Sequence, residues 1–493
     1  MSALLSRLRP RDTPERIFVA FVLLLVGGGA VGLLAQSPWG LLPALAVVGV
    51  GVLVVDWRWV YYLLLSTLAF SREVALPGGL SLDVPSEPLM LVLLGCLGAA
   101  VLSGRSGLTR HQLLHPFVVI LTLMLLWASV SSVFSVDTTK SIKYLLAKTW
   151  YLGPFLLVTL LLVKRPADVW RIAACHAAAA CLTVCYAAAR HATRGFSFAD
   201  VNWAIQPFYI NHVIYATVMA LLLPYAFYAA QASRGLGRWA WRVAMVVLTF
   251  GLLLSYTRAS ILSIPIAGIF YWVMRLRLTR WVLLGAFLGA FSGALYFVQQ
   301  NNYMLYAPDF EKTIWNGENF EKHLEATYKL EDLSGMERVY RWVAAARMLA
   351  DKPVTGSGPS TFYPEYKRYT VKSFRTYVSD NPEHSTTHNY FLLQLAEQGV
   401  PGFALFALLV CVTLLVAERL YHRSAAQPRI RRVVLAVTLS LVVIIFHLTL
   451  NELIEVDKIG SFFFIGLAVL IRCKDWLDEA APAPQAGVPL VAA

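Results

Sequence analysis

Charge is scarce in this chain. Only 14% of its 493 residues are Asp, Glu, Lys or Arg, whereas 58% are hydrophobic and the mean hydropathy is +0.61. A soluble globular domain carries roughly 25% charged residues, so a water-soluble fold is excluded. Six cysteines (Cys96, Cys175, Cys181, Cys185, Cys411 and Cys473) form no CxxC pair, which argues against a thiolate metal site or a redox centre. They fall in or beside apolar runs, where small buried packing residues are expected. No GxGxxG or P-loop pattern occurs, so a nucleotide-fuelled enzyme is not expected. HExxH and DxD-like runs are missing as well, and neither a metal nor any other cofactor is expected. No internal repeat is evident, which argues against an inverted-repeat transporter.

Apolar runs are abundant instead. Candidate spans lie at about 17–36, 39–55, 57–71, 86–103, 116–134, 143–163, 168–190, 209–231, 239–257, 259–275, 281–299, 390–418, 432–450 and 459–472. Most are long enough to cross a hydrocarbon core of roughly 30 Å. They lack the strict alternation of a membrane β-barrel. The expected fold is an all-α polytopic membrane protein of about 12–14 helices. Its expected parts are N-terminal transmembrane helices (1–299), a loop cap (300–389), C-terminal transmembrane helices (390–474) and a tail (475–493). The net charge of +13 follows short connections: Arg105 to Arg110, Lys164-Arg165, Arg234 to Arg242, Arg275 to Arg280, and Arg419 to Arg432. Placing these in the cytoplasm puts both termini inside and residues 300–387 outside. Membrane lipids, and not nucleic acid, are the partners this charge implies. The first span is expected to remain uncleaved.

The segment 300–387 is the one long polar interruption. Residues 336–350 have helical spacing, with Val339, Trp342, Val343, Ala346 and Leu349 on one face. Pro353, Gly356, Gly358 and Pro359 then break the helix. A mostly helical cap lying on the membrane is expected.

Several residues in and around this cap can carry chemistry. His388 stands where the loop meets the span beginning near Tyr390; it is either a general base at neutral pH or part of a capping Thr-His-Asn turn. Asn389 offers two-way hydrogen bonding to a substrate or to the loop. His384, one turn earlier, either shares the pocket or is exposed. Arg258, in SYTRAS, is pinned between two spans on the side that normally carries few cations. It either grips an anion through its bidentate fork or snorkels to a headgroup. Arg338 and Arg341 are three apart and share a helix face. Arg190 and Arg194 flank the outer end of another span, and Lys367, Arg368, Lys372 and Arg375 form a basic patch. Each of these either binds a substrate phosphate or meets lipid headgroups. Glu452, Glu455, Asp457 and Lys458 occupy a short outer turn that either closes the pocket, orients a histidine or is simply paired.

Three pieces, SYTRAS (255–260), SGMERVYRWVAAARMLADKPVTGSGPSTF (334–362) and HNYFLLQLAEQGVPG (388–402), resemble the O-antigen ligase and polymerase superfamily of bacterial envelope glycan enzymes. The similarity covers roughly residues 209–470. It implies a C-type glycosyltransferase-like architecture and a metal-independent transferase of the periplasmic face of the inner membrane. In the ligases a glycan is moved en bloc from undecaprenyl diphosphate to a sugar hydroxyl of lipid A–core. The family's loop histidine falls on His388, its outer arginine on Arg258 and its loop-helix arginine on Arg338, with Arg341 beside it. The expected roles are His388 as base and Arg258 as the catalytic cation. Arg338, Arg341, Arg190, His384 and Asn389 are expected to bind substrate. Direct displacement would invert the anomeric centre.

Other readings remain open. An O-antigen polymerase would use similar residues with another acceptor. Protein-glycosylating members often carry a soluble tail, and APAPQAGVPLVAA is too short for one. A transporter of lipid-linked glycan would need charges deep within several spans, and a structural membrane partner would need none of this chemistry.

Overall fold

The structure, a computed structural model, describes residues 56–76, 80–306, 333–371, 379, 381 and 385–480. The chain divides into two compact units, Met1–Leu64 and Leu65–Ala493. The described residues of the first open the helix Arg58–Thr67. The candidate spans 17–36 and 39–55 lie outside the described residues.

The second unit is helical apart from one antiparallel hairpin, β1 (Arg72–Leu76) and β2 (Leu80–Val84), with Arg72 opposite Val84. Its long helices are α1 (Ser86–Leu102), α2 (Pro116–Val133), α3 (Thr138–Leu162), α4 (Pro166–Ala192), α5 (His212–Ala232) and α6 (Gly235–Leu254). There follow α7 (Arg258–Arg275), α8 (Thr279–Val298), the loop helix α9 (Leu333–Asp351), α10 (Tyr390–Arg423), α11 (Pro428–Leu448) and α12 (Asp457–Glu479). Eight helices among the described residues are long and apolar enough to cross a membrane. This is an all-α polytopic membrane protein, as its hydropathy predicts.

Polar residues mark where the helices begin. Asp137, Asn211 and Asn389 accept hydrogen bonds from the backbone N–H groups of Lys140, Ile214 and Leu392, satisfying donors that the first turn leaves open. Proline opens α2, α4 and α11, where a missing N–H costs nothing.

Hydrogen bonds tie the connections into two ends. At the loop end, Asp457 accepts from the Ser86 hydroxyl at 2.7 Å, and Lys458 donates to the carbonyls of Ser71 and Phe208. Tyr256 donates to Phe196 O at 2.8 Å, and Thr257 to His212 O at 3.3 Å. At the opposite end, Gln112 donates to Asp475, Trp476 to Lys164 O, and Thr279 to Glu418. The short basic connections all belong to this second end. The core centres on α5 and α11, each with 78% of its apolar window buried, whereas none of the α8 window is buried.

The cysteines only partly match the packing role expected of them. Cys473 is buried, Cys185 is exposed, and the other four are intermediate; all six are free.

Helix α10 is broken where its sequence reads EQGVPG. Gly399 has φ 67° and ψ −169°, a conformation essentially closed to residues with a Cβ. Its backbone lies against the 353–358 turn: Val400 N–H donates to Pro353 O at 2.9 Å, and a Cβ on Gly399 would come within 2.1 Å of Val354 O. Gly356 faces Glu397 backbone just as closely. The buried Glu397 carboxylate accepts from the N–H groups of Ser360 and Phe362, at 2.9 and 2.8 Å. Two of the motif blocks are therefore locked together, main chain against main chain. Gly399→Ala should lower stability by about 3 kcal/mol or more, the strain adding to the clash. Thermal unfolding of the purified protein in detergent measures this, and an unchanged midpoint would refute it.

Candidate functional site

His388 is half-buried just before α10 and adopts a left-handed backbone, φ 52°. Both flanking residues hold the turn. Thr387 donates to Asn389 O at 2.7 Å and accepts from Asn389 N–H at 3.2 Å. Asn389 also donates to Thr449 O at 3.1 Å, joining the turn to the end of α11. Asn389 is thus a cap and a strut, and both of its polar atoms are engaged within the protein.

The His388 Nδ1 faces Asn451 Oδ1 at 3.3 Å. With the amide oxygen on that side, Nδ1 carries the proton and Nε2 keeps its lone pair. Burial lowers the His388 pKa below the ordinary imidazole value. The Glu452 charge raises it, the charges of Arg341 and Arg338 lower it further, and the Asn451 hydrogen bond raises it. The net direction is down, so the ring is neutral at pH 7 and free to accept a proton. One carboxylate oxygen of Glu452 is buried without a hydrogen-bond partner among the described residues. A carboxylate in that position stabilises an imidazolium once it forms.

These electrostatics fix a sign for pH dependence. Activity that needs neutral His388 falls as pH drops through its pKa. Removing the Glu452 charge lowers that pKa further, so Glu452→Gln should move the acid limb of kcat/KM to lower pH. A limb that stays in place would remove Glu452 from the site.

Arg341 is buried. It pairs with the buried Glu337 one turn away at 3.3 Å and reaches Thr386 O at 3.5 Å, while Trp342 donates to Thr387 O at 2.9 Å. Ser379 completes the Glu337 carboxylate at 2.6 Å. Helix α9 therefore presses the His388 turn into place. Its buried stripe runs through Glu337, Tyr340, Arg341, Ala344 and Met348. Of the apolar face expected from the sequence, Val343 is buried, whereas Val339, Trp342, Ala346 and Leu349 are half-buried. Two charged residues point inward because each satisfies the other, and the apolar stripe alone did not reveal it. Arg338 is half-buried on the same helix, and its charge is felt at His388.

Arg258 begins α7 at the loop end. Two residues on, Ser260 lies 2.9 Å from Nε2 of the buried His447. The His447 carbonyl in turn accepts from Asn451 N–H at 2.7 Å, and Asn451 meets His388. SYTRAS and the His-Asn block are thus joined through the end of α11.

Other expected residues lie elsewhere in the hydrogen-bond network. Arg190 stacks on Trp203 at 4.2 Å and bonds to Tyr186 and to the Gln206 carbonyl, and Arg194 covers the same Trp203 at 4.2 Å while pairing with Asp200. Their contacts are with the end of α4 and the connection that follows it. His384, Lys372 and Arg375 fall outside the described residues. Lys367 packs over Tyr363, and Arg368 pairs with Glu365 at 3.3 Å on the surface. In the outer turn the acids divide. Glu452 faces His388, whereas Glu455 binds the Tyr390 hydroxyl at 2.6 Å and Lys148 at 2.8 Å, and Asp457 and Lys458 are structural. Asn451 was not singled out in the sequence; an Asn-Glu pair just after an apolar span was the signal available. Among the described residues, no three or more His, Cys, Asp or Glu side chains are grouped to hold a metal ion.

No curated protein matches the chain. Residues 243–407 match the family model described as O-antigen ligase, a stretch holding all three motif blocks and His388. This match supports membership of the O-antigen ligase and polymerase superfamily.

Proposed function

We propose that the chain is an O-antigen ligase of the bacterial inner membrane. It moves a glycan en bloc from undecaprenyl diphosphate to a sugar hydroxyl of lipid A–core, without a metal. The loop end faces the periplasm, and the basic connections and both termini face the cytoplasm, in keeping with the positive-inside rule. The observation that carries the reading is His388: neutral, its Nδ1 against Asn451, and within the fields of the Glu452, Arg338 and Arg341 charges.

In this reading the acceptor hydroxyl gives its proton to His388 Nε2. Its oxygen forms the new bond to the anomeric carbon, and the bond from that carbon to the diphosphate oxygen breaks. The electron pair leaves with undecaprenyl diphosphate, and the configuration inverts. Asn451 holds the tautomer and Glu452 steadies the imidazolium. Arg258 and Arg338 meet the negative charge that grows on the departing diphosphate. Arg341 is already committed to Glu337, so its part is to position the His388 turn.

A polymerase would share this chemistry and differ in its acceptor. A deletion strain separates the two. Loss of a ligase leaves core bearing no O-antigen, whereas core bearing one repeat would make the protein a polymerase and refute the ligase reading.

A further inference from the structure

At the end opposite the candidate site, α5, α6, α7 and α11 enclose an open cavity of about 790 Å³. Its volume falls in the range of ligand pockets, roughly 300–1,000 Å³, and its open side lets a longer ligand extend beyond it. The lining is sorted by depth. Leu223, Met245, Ile264 and Leu439 form its inner wall, whereas Tyr228, Gln231, Tyr271, Arg431 and Arg432 gather near the helix ends. None of the lining residues is acidic. Arg431 is half-buried and braced on the Tyr421 ring at 4.3 Å, and Arg432 beside it is also half-buried.

The depth of these arginines is marked independently. Three exposed tryptophans at the same end each carry an arginine over the ring: Trp239 with Arg242 at 5.1 Å, Trp272 with Arg275 at 4.9 Å, and Trp281 with Arg280 at 5.1 Å. Tryptophans paired with cations in this way belong to the headgroup layer. The mouth of the cavity thus opens at headgroup level, and its apolar wall runs into the hydrocarbon.

We propose that this cavity is a binding site for an anionic diacyl phospholipid. The phosphate sits on Arg431 and Arg432, and the acyl chains fill the apolar wall. Two cations with no acid in the cavity lining select a net negative headgroup over a zwitterionic one, and the apolar wall prefers chains to water. The site lies at the far end of the helices from His388 and does not depend on the transferase reading.

Native mass spectrometry of the full-length protein, exchanged into vesicles of phosphatidylglycerol or of phosphatidylcholine and then extracted, tests it. One retained phosphatidylglycerol is expected, favoured over phosphatidylcholine by about tenfold or more. The double variant Arg431→Gln/Arg432→Gln should lose that preference. Gly268→Trp should expel the lipid, because a side chain starting at Gly268 meets no neighbouring atom within 4 Å and grows into the cavity. Equal retention of both lipids, or unchanged retention in the well-folded double variant, would overturn the proposal. So would a wild-type protein that retains no lipid.

Discussion

Glycan transfer should fall by about 10²–10⁴-fold when His388 is replaced by asparagine, the loss typical of removing a general base. Asparagine is the informative substitution because residue 388 has φ 52°. Alanine there would add backbone strain to the lost imidazole, whereas asparagine tolerates the left-handed region. The variant should keep the wild-type unfolding midpoint and lose turnover. A structural role would give the reverse, a lowered midpoint with turnover retained in whatever protein folds. The Nδ1 contact gives a second handle. Asn451→Ala releases the tautomer without removing the base, so a smaller loss is expected there than in His388→Asn.

Arg258→Ala should lower kcat/KM by about 10²–10³-fold, as for removal of one fixed charge that meets a developing anion. The loss should be borne by the donor, with KM for lipid A–core little changed. Arg258→Lys keeps the charge but loses the bidentate fork, so partial recovery is expected. Arg341→Ala should behave differently from both. Its partner Glu337 would lose a buried ion pair while keeping the Ser379 hydrogen bond, so stability falls first and activity follows. Donor affinity identical across wild type, Arg258→Ala and Arg338→Ala would end the diphosphate-clamp assignment.

The membrane fold was legible because hydropathy is a local property: each span carries its own signal, from Pro116–Val133 to Pro428–Leu448. His388 and Asn389 were legible because a polar pair at a span boundary stands out against apolar sequence. Asn451 did not, and Glu452 was one of several outer-turn acids open to that role, since both come within reach of His388 only when α11 and α12 fold back beside α10. The inward turn of Glu337 and Arg341 had a readable trace, an acid and a base at i and i+4, but the same spacing is common on solvated faces. The stacking of Arg190 and Arg194 on Trp203 was hidden for a related reason: the aromatic lies in the next loop. Gly356 was read as a helix breaker, and Gly399 was not singled out. Their tighter function, letting two backbones touch, needs both partners in view.

The most direct measurement is a reconstitution of the purified protein in detergent with a defined undecaprenyl diphosphate-linked glycan and lipid A–core, with and without chelator. Wild-type protein should form the glycan–core product equally in both conditions with no membrane gradient, and well-folded His388→Asn should form none above background. Product formed by His388→Asn at the wild-type rate would contradict the account.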